Sequence, residues 1–166
     1  MKPGSQNAES FECTIRPAVL SDVPALYDML RKSAEEQGGL SELCVDEDIL
    51  REDGFGPQPR FSALIAEMGV QTAGMALYFF TYSTWTSRDG LYLEDLYVMP
   101  QFRKSGVALA LMARLKEIAA ERGCKRFHWF VLRNNESAIR FYKRLGAEEM
   151  RDWMPMKLAD VGRGER

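Results

Sequence analysis

The stretch Leu91-Tyr92-Leu93-Glu94-Asp95-Leu96-Tyr97-Val98-Met99-Pro100-Gln101-Phe102-Arg103-Lys104-Ser105-Gly106-Val107-Ala108 decides how this chain folds. Residues 91–99 are aliphatic or aromatic apart from one acidic doublet, which predicts a buried strand. Pro100 stops it, and a basic turn containing Gly106 follows. Beyond the turn, Ala108, Leu111, Met112, Leu115, Ile118 and Ala119 recur at helical spacing. Arg114, Lys116, Glu117 and Glu121 take the opposite side, so a helix is predicted over residues 106–121. A strand running through a tight turn into a helix aims free N–H groups and the positive helix end at the turn, where a pyrophosphate is stabilised. Gly106 allows close backbone approach, Ala108 is small enough for tight packing, and Arg103 and Lys104 add charge. By itself such a turn is equally an ordinary strand–helix connection with solvated basic residues.

Working outward, residues 11–16 alternate and end at Pro17, which predicts an opening strand. Ser21 suits a helix N-cap, followed by the stripe Val23, Leu26, Tyr27, Leu30 and Ala34, with Gly38 and Gly39 as the stop. A short helix over 46–52 leads into a breaker-rich loop over 53–57. Strands over 62–68 and 73–82 are joined by a hairpin turn, and a second turn over 86–90 leads to the central strand. After Gly123 comes a strand over 126–132. A short helix from Asn134 to Gly146 follows, with the stripe Ala138, Phe141, Tyr142 and Leu145. A last strand is expected over 148–158 despite Pro155. The resulting class is α+β, with a flexible segment 1–10, one domain over 11–160 and a tail over 161–166.

The 166 residues suffice for a full core without staples. A net charge of −2 argues against a nucleic-acid binder and suits a cationic small molecule. Cys13, Cys44 and Cys124 are odd in number and far apart, so neither a disulfide framework nor a zinc site is suggested, and a cytoplasmic location is expected. His128 is the lone histidine, and no metal is expected. No apolar run reaches membrane-spanning length, so no membrane partner is expected.

Glu94 and Asp95, as neighbours on a strand, are expected on opposite faces. Carboxylates in so apolar a run are costly to bury. They read either as one edge carboxylate plus a structural ion pair, or as a proton acceptor beside a cation-binding group. Tyr142 lies on the core stripe of the last helix, so packing and a proton-donor role both stay open. Trp85 and His128 each carry a structural reading and a pocket-lining one.

The run over residues 91–147 resembles the GNAT superfamily of acyl-CoA-dependent N-acetyltransferases. Its signature, a basic residue or Gln followed by two free positions, Gly, one free position and Gly or Ala, is met by Arg103, Gly106 and Ala108, with Lys104 where Gly is common. Ile15-Arg16-Pro17-Ala18, Glu52-Asp53-Gly54-Phe55-Gly56, Phe80-Thr81-Tyr82, Tyr92-Leu93-Glu94-Asp95 and Phe141-Tyr142-Lys143-Arg144 are similar to the diamine (spermidine/spermine) and thialysine acetyltransferase branch. Ser83 stands where that branch has an acidic residue, and the segment around Trp153 is shorter.

The resemblance implies the GNAT fold, a mixed, mostly antiparallel sheet with splayed middle strands flanked by helices. It implies acetyl-CoA as co-substrate, no metal, and a homodimer. Leu96, Tyr97 and Val98 would bond the pantetheine arm through their backbone. Arg103, Lys104, Ser105, Gly106, Val107, Ala108 and Leu109 would meet the pyrophosphate, and Asn135 and Ser137 would border the arm. Glu94 would be the base and Tyr142 the acid beside the thioester, while Asp95, Glu35, Glu36, Trp85 and His128 join Glu94 on the amine side. Acetyl transfer to a primary amine of a small cationic molecule follows. The alternatives are a protein N-terminal or lysine acetyltransferase, or a non-catalytic acyl-CoA-binding module.

Overall fold

The computed structural model describes residues 12–158, so the expectations for residues 1–10 and 161–166 lie outside the described residues. The described chain forms two compact units, one ending at Trp129 and the other beginning at Phe130.

The first unit is a five-stranded sheet in the order β1 (Cys13–Pro17), β2 (Ser62–Met68), β3 (Gln71–Ser83), β4 (Arg88–Val98) and β5 (Arg126–His128). The first four strands pair antiparallel, and β5 joins β4 in parallel. Between β1 and β2 lie α1 (Val23–Glu36) and α2 (Glu47–Phe55), and α3 (Val107–Glu121) connects β4 to β5. Val23, Leu26, Met29 and Leu30 of α1 and Leu50 of α2 pack on Ala63, Ile65, Met75 and Tyr97 to form the core of one face. The other face takes α3, whose Val107, Leu111 and Leu115 are almost fully buried. The helical stripes read from sequence are thus the buried faces.

Several boundaries differ from the sequence reading for local reasons. Asp22, not Ser21, is the N-cap of α1. Its carboxylate accepts from Arg16 at 2.7 and 2.9 Å and from the Val19 N–H at 2.7 Å. The acidic-glycine segment expected as a loop is largely helical, because Asp46 caps α2 by accepting from the Ile49 N–H at 2.8 Å and the helix runs on to Phe55. Gly54 inside it is a poor helix former. It is required there because a Cβ would stand 2.6 Å from the Phe61 ring. The strand expected over 126–132 pairs only as far as His128.

The second unit contains α4 (Glu136–Arg144), capped by Asn135, which accepts from the Ala138 N–H at 3.1 Å. Residues 148–158 form no strand among the described residues. Phe130, Met150, Trp153, Met154, Met156 and Leu158 are exposed.

Candidate active site

The site begins with one extra residue in β4. Tyr78 pairs with Leu93 and Leu77 with Asp95, so Glu94 has no opposite number on β3. This bulge reverses the facing of the strand. Before it, odd-numbered Leu93 lies with Tyr78 on the α3 face. After it, odd-numbered Asp95 and Tyr97 lie with Leu77 and Met75 on the α1–α2 face. The expectation that Glu94 and Asp95 point to opposite faces is therefore corrected. Regular alternation fails at a bulge, and both residues line one cleft.

The cleft has a volume of about 370 Å³. Leu30, Ala34, Leu43, Val45, Leu50, Phe61 and Leu77 are apolar in it, and Ser33, Gln37, Glu42, Glu94 and Asp95 are polar. No Lys, Arg or His is among its lining residues. Burial, and after it the charge of Glu94, push the Asp95 carboxyl up to about 6. A proton acceptor near neutrality thus lies in an anionic cleft. Tyr92 continues the same face and packs between Phe79, at 5.0 Å, and the edge of His128, at 5.1 Å. Its phenol is raised by burial, then by Glu94 and Asp95.

Next to the cleft, the sheet opens. β5 pairs only with Gly90, Leu91 and Tyr92. Residues 93–98 of β4 keep β3 on one side and have no ladder partner on the other among the described residues. The Met99 N–H donates to the Ala73 carbonyl of β3, so by alternation the backbone groups of Leu96 and Val98, unlike those of Tyr97, face the other side, where the Val98 carbonyl accepts from Arg103. The chain then passes through Pro100–Phe102 into the turn that opens α3. Lys104 and Gly106 take left-handed φ values of 65° and 91°. No side chain caps α3, and a Cβ on Gly106 would meet nothing within 4 Å. The first N–H groups of α3 therefore have no side-chain cap at the positive helix end, which suits an anionic ligand. Ser105 spends its hydroxyl locally, donating to the Phe102 carbonyl at 2.5 Å. Val107 is buried, Ala108 half-buried and Leu109 exposed.

Two expectations change here. Arg103 was expected to offer its charge to the phosphate. Its guanidinium instead donates to both Glu36 oxygens, at 2.7 and 2.8 Å, and to the Val98 carbonyl at 3.0 Å. Glu36, expected on the amine side, is taken up by that bond and by the Tyr97 hydroxyl at 2.7 Å, and it does not line the cleft. Glu35 is exposed, and neither it nor Trp85, 87% exposed in the β3–β4 turn, lines the cleft. His128 adjoins Tyr92 but lies outside that lining; burial, then Arg126, lower its pKa. Its Nδ1 and the Ser83 hydroxyl are buried without a hydrogen-bond partner. In the second unit, Asn135 and Ser137 lie at the start of α4, and Tyr142, beside Phe141 at 5.3 Å, carries a phenol raised by burial to about 12.

Ser33, Glu42 and Phe61 were not read from the sequence as site residues. The one available signal was the Ser33–Gln37 spacing, four apart on one helix, where the Gln37 amide donates to the Ser33 hydroxyl at 3.0 Å.

A family model described as "Acetyltransferase (GNAT) family" matches residues 23–147. The chain belongs to the GNAT acetyltransferase family. It is an N-acetyltransferase. The acetyltransferase is 40% identical over 144 residues to the thialysine N-epsilon-acetyltransferase of Mus musculus, covering 82% of this chain and 84% of that protein. It is 34% identical over 143 residues to the spermidine/spermine N(1)-acetyltransferase-like protein 1 of Homo sapiens, covering 82% of this chain and 20% of that one. In structure it matches a possible acetyltransferase from Clostridium difficile with a TM-score of 0.75 at 19% identity, over 91% of this chain and 99% of that chain. That likeness carries the fold alone. The α+β GNAT architecture expected from the sequence is borne out.

Proposed function

We propose that this enzyme transfers the acetyl group of acetyl-CoA directly to a primary amine of a small cationic molecule of the polyamine, diamine or thialysine class. The observation that carries the reading is the cleft at the β4 bulge, where Glu94 and Asp95 meet in a lining without a cationic side chain. Such a cleft stabilises an ammonium group. The names of the mouse and human relatives support the same substrate class.

Acetyl-CoA, when bound, supplies the activated thioester. The chain's own groups do the rest. The backbone of Leu96 and Val98 would hold the pantetheine arm along the open edge of β4. Lys104 to Leu109 would hold the pyrophosphate, and Asn135 and Ser137 would border the arm. A small amine with a pKa of about 10.4 arrives protonated. Glu94 accepts its proton, directly or through a water, and Asp95 holds the ammonium and supports the acidic pair. A backbone N–H near Val98 stabilises negative charge on the carbonyl oxygen. Tyr142 gives its proton to the departing thiolate; a phenol at about 12 is protonated at neutral pH, as that role requires.

Residues 11–160 act as one acetyltransferase domain in this reading. The exposed apolar side chains of the C-terminal segment, Trp153 and Met154 among them, support a homodimer. The free thiols Cys13, Cys44 and Cys124 support a cytoplasmic location. No helix among the described residues is long and apolar enough to cross a membrane.

The test is release of free thiol from acetyl-CoA over spermidine, spermine, putrescine, thialysine, lysine and short peptides. Turnover on the small amines is expected. Turnover on peptides alone would replace this reading with a protein acetyltransferase, and tight coenzyme binding without any acetylated product would replace it with a binding module. Tyr142→Phe lowers kcat by about 100-fold with coenzyme affinity unchanged, and an unchanged kcat removes Tyr142 from the mechanism.

A further inference from the structure

We infer that Glu36, the last residue of α1, is a positioning residue for the coenzyme: it fixes Arg103 as a strut that sets the phosphate turn, and it does not bind the amine. This rests on the acetyl-CoA reading above.

The bonds on Arg103 carry the inference. Its Nε donates to the Val98 carbonyl at 3.0 Å, and one terminal nitrogen donates to both Glu36 oxygens at 2.7 and 2.8 Å. The guanidinium also lies 5.5 Å from the Tyr97 ring centroid. The Tyr97 hydroxyl donates to the same carboxylate at 2.7 Å. Helix α1, strand β4 and the turn are therefore tied at one carboxylate.

Glu36 is otherwise badly placed. A negative charge at the C-terminal end of a helix opposes the helix dipole. The Arg103 and Tyr97 bonds offset this and, against the effect of burial, hold the Glu36 carboxyl below its ordinary range. The strut also has something to hold. Lys104, the next residue, sits at φ 65°, a conformation a non-glycine residue keeps only when its surroundings impose it. Arg103 fixes the turn on one side, and the Ser105 hydroxyl, bonded to the Phe102 carbonyl, fixes it on the other. With Arg103 neutralised by Glu36, the attraction for phosphate comes from Lys104 and the open end of α3.

The test has a built-in sign. In calorimetry with coenzyme A, the strut requires Glu36→Gln to weaken binding by about tenfold, the scale of a lost charged hydrogen bond. The amine KM at saturating acetyl-CoA stays unchanged. If Glu36 merely competed with phosphate for Arg103, the same variant would bind coenzyme A more tightly, and the strut is wrong. If Glu36 bound the amine, its KM would rise instead, and the strut is again wrong. In an Arg103→Met background, Glu36→Gln has no further effect on coenzyme affinity; an additive effect overturns the proposal. Should Glu36→Gln not fold, Glu36→Asp, which keeps the charge and shortens the reach, is measured in the same cycle with the same expected sign. Wild-type protein that fails to bind coenzyme A overturns the acetyl-CoA reading and the strut together. Wild-type binding with unweakened Glu36→Gln overturns the strut alone.

Discussion

The two halves of β4 have similar composition and opposite duties. In the half up to Leu93, the strand is paired with β3 throughout and with β5 as far as Tyr92, and Leu91 and Leu93 are almost fully buried against the α3 side. Past Glu94 it is paired only with β3, presents Asp95 and Tyr97 to the opposite face, and leaves one row of backbone groups open. A single unpaired residue separates a structural strand from a functional one. The candidate site is thus built by a change of register rather than by a change of residue type.

The largest effect is expected from removing that residue. Deleting Glu94 leaves Leu93 and Asp95 opposite Tyr78 and Leu77 in a regular ladder, so every remaining side chain keeps its face. The variant is expected to fold cooperatively, as followed by circular dichroism, and to lose about 100-fold or more in kcat/KM. Retained activity would show that the bulge is incidental.

A milder change converts Asp95 to Asn. Folded Asp95 binds its proton more tightly than the unfolded chain does, because its carboxyl is raised to about 6. The wild type therefore gains stability as pH falls from about 6 toward 4 and loses it as pH rises through 6. Asp95→Asn should be more stable than wild type at pH 8 by on the order of 2 kcal/mol, with the difference shrinking toward pH 4. Urea melts across that range check the sign. The same variant removes the acidic limb near pH 6 from the kcat/KM profile.

Glu94→Gln removes the proposed base and is expected to lower kcat by about 100-fold; the smallest effect is on the position of that limb in the residual activity. Glu94→Gln removes the neighbouring charge, which ranks after burial among the causes of the Asp95 shift. The limb moves to lower pH by less than about one unit. A limb that stays in place assigns it to another group.

What the sequence discloses and what it hides divide along the same line. The strand–turn–helix order, the α1 and α3 stripes and the acidic doublet all follow from local periodicity, and the fold with them. The facing of Asp95 does not, because it depends on which β3 residue it pairs with. The short ladder of β5 was hidden as well. Residues 126–132 are apolar enough for a longer strand, yet pairing with β4 stops at His128. Glu36 reads as one of several acids in a helix end, and only the fold brings Arg103, distant in sequence, to claim it. The helical run into Phe55 was masked by a glycine whose purpose is to admit the Phe61 ring.

The open row along β4 has a consequence for handling the protein. Apart from the Val98 carbonyl, which accepts from Arg103, main-chain groups without a ladder partner among the described residues form a template onto which an extended segment can add as a further strand. In the proposed reading the coenzyme occupies this same length of backbone, so saturating the protein with it during purification should also guard against self-association.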